Sequence, residues 1–97
     1  SAEAAKLVQD AEQKAAAIRK DAQTLADKVK KEGDRQADSL TAKAGSNPLL
    51  QIGAKAAADK LRKTANDKAA AIVREADQRA DSLVAAARQQ AAKIGGP

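Results

Sequence analysis

The residues of this chain that could do chemistry are carboxylates, lysines and arginines. It contains no cysteine, histidine, tyrosine, tryptophan, phenylalanine or methionine. That removes thiol nucleophiles, imidazole bases and the two commonest zinc ligands. The carboxylates are abundant, and their spacing is that of a helix surface. Asp10, Asp21 and Glu32 recur at intervals of eleven residues, and Asp27 with Lys31 and Lys63 with Asp67 stand four apart, where opposite charges pair along a helix. General acid–base catalysis needs a pocket that moves pKa values, which a helical ridge does not supply. No calcium-loop spacing and no glycine-rich phosphate loop occurs. The sequence therefore reads as that of a non-enzyme, with no catalytic, cofactor-binding or metal-ligating residue to name.

Charge bounds the partners. Eighteen basic and thirteen acidic residues leave a net charge of +5, with a sequence pI near 9.7. A basic balance can signal nucleic acid or an anionic membrane. Here both signs alternate through the chain. The densest basic spot, Lys28, Lys30 and Lys31, is followed at once by Glu32 and Asp34. Aromatic side chains for base stacking are absent, which argues against a nucleic-acid interface. A membrane-surface helix needs a bulky apolar face rimmed by Lys or Arg, and the apolar face here is mostly alanine. No apolar run approaches the ~20 residues of a membrane span. A basic helix bound to anionic lipid or nucleic acid is the third-ranked reading of the chain.

The elements that carry these residues are helical. Hydrophobic residues make up 43% of the chain, with only Leu, Ile and Val supplying bulk. Strong helix formers dominate and strand-favouring residues are scarce. The class is all-α, with a thin two-layer interface in place of a thick core. An eleven-residue repeat organises both halves: "AAKLVQDAEQK", "AAAIRKDAQTL", "ADKVKKEGDRQ", then "ADKLRKTANDK", "AAAIVREADQR", "ADSLVAAARQQ". Position one is alanine throughout, from Ala4 to Ala91. Position four holds Leu7, Ile18, Val29 and Leu40, then Leu61, Ile72 and Leu83, with Leu50 in phase; these are the expected hairpin core. Position eight is small: Ala11, Ala22, Gly33, Ala44, Ala65, Ala76 and Ala87. Eleven residues in three turns, ~3.67 per turn, favour a straight or slightly right-handed supercoil.

The stretch "AGSNP" interrupts this pattern at residues 44–48. Gly45 suits the left-handed residue that closes a helix, Ser46 or Asn47 can cap the next one, and Pro48 fits its first turn. So short a connection suits an antiparallel pair. Folding the chain about residue 47 sets each large position-four residue opposite a small position-eight residue, for example Leu61 opposite Gly33. Alternating large and small residues in this way builds tight packing. The expectation is one long antiparallel two-helix hairpin: helix one over about 3–44, turn 45–47, helix two over about 48–94, and a frayed tail 95–97. So thin a pair has little to bury, so self-association into a homo-oligomer or docking on a helical protein is expected. Val8, Val73 and Val84, at position five, are candidates for that second surface at the open end.

The segments "AEAAKLVQDAEQKAAAIRKDAQTLADKV" and "AAAIVREADQRADSLVAAARQQAAKI" resemble the Ala-rich right-handed coiled coils of rotary ATPase peripheral stalks, the b-type and E-type subunits. Late-embryogenesis-abundant and apolipoprotein-like sequences share eleven-residue repeats. The resemblance implies coiled-coil architecture and, as an alternative function, a fragment of a stalk-like subunit. The first reading is a structural or protein-interaction module. A chain opening on Ser1 fits a secreted or periplasmic product as well as a shortened cytoplasmic one.

Overall fold

The computed structural model describes residues 1–95, so the last two residues of the expected tail 95–97 lie outside the described residues. The chain forms two helices, α1 (Ala2–Ala44) and α2 (Pro48–Ile94), packed as an all-α hairpin. Ser1 opens α1: its Oγ accepts the Ala4 N–H at 3.2 Å, occupying a donor the helix itself leaves unpaired. Lys43 and Lys93 stand in the last turns of the two helices, where a cation complements the helix dipole.

The turn follows from its residues. Gly45 has φ +57°, a conformation that costs an L side chain roughly 1–2 kcal/mol. Its N–H donates to Ala42 O at 3.2 Å and closes α1. Asn47 caps α2: its Oδ1 accepts the N–H groups of Leu49 (3.0 Å) and Leu50 (3.2 Å). Pro48 takes the first helical position, where no donor is needed. Gln51 then reaches back, and its Nε2 donates to Gly45 O at 2.6 Å.

The described chain comprises two compact units, each with a segment of both helices: residues 1–23 with 73–95, and residues 24–72. In the first, the buried apolar residues are Ala4, Ala11, Ala15, Ala76, Ala80, Ala87 and Ala91; in the second they are Ala26, Ala37, Ala44, Ala58, Ala65 and Ala69. Every buried apolar side chain described is thus an alanine, and each belongs to repeat position one or eight. The large position-four residues Leu7, Ile18, Val29, Leu40, Leu61, Ile72 and Leu83 are only half-buried. Leu50 is not a core residue at all: it is 57% exposed. It belongs to the first turn of α2, beside the loop, where α1 has already ended.

The contact at Gly33 explains why the small residues hold the centre. A Cβ built on Gly33 would overlap the Ala65 Cβ, and the Leu61 backbone oxygen lies 3.6 Å from it. At this point position eight meets position eight most closely across the seam, with the backbone of Leu61 also facing Gly33. With 100° per residue, position four lies off to one side of the line joining positions one and eight, so its side chains flank the seam. Gly33→Ala should lower the melting temperature. The overpacking cost, typically 1–3 kcal/mol, exceeds the ~1 kcal/mol gained in helix propensity. Adding Ala65→Gly should restore packing across the seam, read by thermal denaturation of both variants; a more stable Gly33→Ala single variant would contradict the close approach.

Candidate interaction surface

The two edges of the seam differ in chemistry. On one edge, long side chains cross between helices. In the terminal unit, Arg19 of α1 lies between two carboxylates of α2, with Nε 3.3 Å from Asp77 Oδ1 and an NH2 group bonded to Asp81. Arg88 approaches Glu12 Oε1 at 3.4 Å on the same edge. In the loop-proximal unit the pattern recurs with the helices exchanged: Arg62 of α2 reaches Asp34 at 3.6 Å and Asp38 at 2.6 Å on α1. Corresponding members of the two clusters, Arg19 and Arg62, Asp34 and Asp77, Asp38 and Asp81, stand forty-three residues apart. The arginine occupies position five in each case. Its partners, spaced four apart, share a helix face. These pairs are exposed, and each contributes only about 0–1 kcal/mol. Their geometric effect is to fix which residues face each other along the edge.

This edge is where the three candidate valines stand. Val8, Val73 and Val84 are all half-buried. Val73 and Val84 are eleven residues apart, about 16 Å along α2, and Asp77 and Asp81 with their Arg19 partner occupy the interval. Val84 borders a hollow otherwise lined by Glu12, Arg19, Asp81, Ala85 and Arg88. Ion pairs thus share this edge with Val73 and Val84. Position five carries arginine as well as valine, and the cross-helix bonds form at the arginines.

The opposite edge carries the bulky residues. In the loop-proximal unit a shallow groove of about 470 Å³ is lined by Val29, Gly33, Leu61 and Ala65 and rimmed by Lys28, Glu32, Gln36, Thr64 and Lys68. Leu25, one turn before Val29, is 51% exposed beside it. In the terminal unit, Leu83 lines a second hollow with Glu75, Gln78, Arg79 and Ser82. Spacing alone did not single out Leu25, because position eleven elsewhere holds Lys14, Gln36, Lys68 and Arg79. The arginine bridges were equally missed, though the shared "ADSL" at residues 37–40 and 80–83 was a signal for them.

The groove's one carboxylate is poorly suited to proton transfer. Hydrogen bonds from Arg35 (2.9 and 2.6 Å) and Gln36 (3.1 Å) hold the Glu32 carboxyl down to about 2, from an ordinary value near 4.5. A carboxylate so stabilised is a weak base at neutral pH. Asp59 is likewise lowered, chiefly by its hydrogen bond from Lys55, and Lys63 is raised by Asp67; both are local helix-surface pairs. Among the described residues no group of three or more potential ligands is placed to hold a metal ion, and no helix is long and apolar enough to cross a membrane.

Because the folded-state pKa of Glu32 is depressed, its contribution to stability is complete above about pH 4.5 and is lost as pH falls toward 2. Side-chain carboxyl NMR should show Glu32 titrating near 2 in the native chain and moving back toward 4.5 in Arg35→Ala. Titration near 4.5 in the native chain would mean that the Arg35 and Gln36 bonds do not persist. No family model, curated protein or solved structure matches this chain.

Proposed function

We propose that this chain is a non-enzymatic interaction module: an Ala-rich, hendecad-based coiled-coil hairpin whose apolar edge packs against a second copy of itself. The observation that carries the reading is the inversion of size and burial. The centre of the seam is closed by alanine and glycine, while no large side chain is fully buried among the described residues. In the loop-proximal unit Leu25, Val29, Leu40, Leu61 and Ile72 keep apolar surface in contact with water. Burying such surface contributes about 25 cal/mol per Å², and a helix pair this thin has no other layer to supply it.

A second copy suits that edge because the groove rim carries both signs, with Glu32 beside Lys28 and Lys68. An identical rim turned over by a two-fold axis can place acid against base. The depressed Glu32 carboxyl supports a structural role over a catalytic one. The stalk-subunit alternative calls for helices that run on as long rods. Here α1 closes at Gly45 and Asn47 caps a new helix, so the interaction-module reading is preferred.

Leu25→Lys and Val84→Lys distinguish the two edges. Leu25 is half exposed, so the lysine should leave helicity nearly unchanged. Light scattering should give an oligomer for the native chain and for Val84→Lys, and a monomer for Leu25→Lys at the same concentration. A monomeric native chain, or an oligomer that loses mass only with Val84→Lys, would overturn the assignment to the apolar edge.

A further inference from the structure

We propose that the loop end of the hairpin is a lipid-contacting tip, which enters the headgroup region of an anionic bilayer end-on through Leu49, Leu50 and Ile52. These three are among the most exposed large apolar residues described, at 81%, 57% and 72%. They fall within the first five residues of α2, immediately after the Asn47 cap. At 100° per residue, Leu50 and Ile52 project about 160° apart, with Leu49 between them. A helix lying alongside could cover one side of this segment only. A medium that the tip enters end-on covers all three together.

Several polar groups at the apex are already satisfied from within. Asn47 Oδ1 accepts two backbone N–H groups. The Gly45 carbonyl accepts Gln51 Nε2, the Gly45 N–H is bonded to Ala42 O, and the Asn47 carbonyl accepts the Gln51 N–H. Moving hydrogen-bonded groups out of water costs far less than moving bare ones, so these groups of Gly45 and Asn47 tolerate the headgroup region, where Ser46 can still meet water or lipid polar groups. Charge selects the kind of surface. Between Asp38 and Asp59 the chain has no acidic residue, and its charged side chains there are Lys43 and Lys55. Lys55 follows Leu49 by six residues, about 9 Å along the helix. That matches the 5–10 Å depth at which interfacial apolar groups sit, so the lysine lies at headgroup level when the leucines reach the acyl boundary. Lys55 also bonds Asp59 at 2.9 Å, which moderates but does not cancel its attraction to anionic lipid.

The test is vesicle co-sedimentation of the full chain with phosphatidylglycerol/phosphatidylcholine vesicles and with phosphatidylcholine alone. The comparison variant carries Leu49→Ser, Leu50→Ser and Ile52→Ser. Because these side chains are exposed, the variant should keep native helicity, checked by circular dichroism. The native chain should sediment with the anionic vesicles, less so at high salt, and the triple variant should bind at least about tenfold more weakly. Equal binding of the native chain to both lipids, or unchanged binding by the variant, would overturn the proposal. So would loss of solution mass in the variant without lipid, which would make a second copy the occupant of the tip.

Discussion

The structure depends on how closely two helix backbones approach along a seam of alanine and glycine. At Gly33 there is no room for even one additional carbon against Ala65. So close an approach excludes large side chains from the seam, and positions one and eight are accordingly small in both helices. The leucines, isoleucines and valines of position four are displaced to one edge, where they cover the seam without filling it. In an ordinary helical protein the bulky residues form the centre and alanine the margin; here the order is reversed.

That reversal gives each unit two unlike edges. Along one, Arg19 in the terminal unit and Arg62 in the loop-proximal unit straddle a pair of aspartates on the opposite helix. Exposed ion pairs contribute little to stability, but two-aspartate docking of an arginine fixes register, because a shift of one residue turns the carboxylates to another face. Along the other edge the apolar surface is unfinished, with Leu25 and the groove at Val29 and Leu61 open to water. The arginine bridges and the open apolar surface thus lie on different edges. The loop end adds a third surface of separate chemistry, apolar and free of carboxylates.

Much of this was legible in the residues. The turn was, because its determinants are local: only a residue tolerant of φ +57° fits at Gly45, and an Asn followed by Pro is a helix start on its own chemistry. The position-one alanines were, since their recurrence is independent of any partner. The burial of position four was not. Large apolar residues at helical spacing ordinarily mark a core, and the geometry that displaces them depends on how near the helices come, a property of the pair. Leu50 fell in phase with the repeat but lies in the first turn of α2, beyond the end of α1. Val73 and Val84 share a repeat position, yet the reach of Arg19 to Asp77 and Asp81 between them is something a one-dimensional pattern does not encode.

The central claim is that the seam closes within one chain. The chain has no cysteine, so cysteines introduced at the exposed positions Ser39 and Lys60 would be the sole labelling sites. Spin-label distances between them, measured after dilution with excess unlabelled chain, test the claim directly. A hairpin places the two positions on adjacent helices, within about 20 Å. One continuous helix would hold them about 32 Å apart. A short distance that survives dilution is the predicted result, and a distance near 32 Å, or a short one that disappears on dilution, would contradict it.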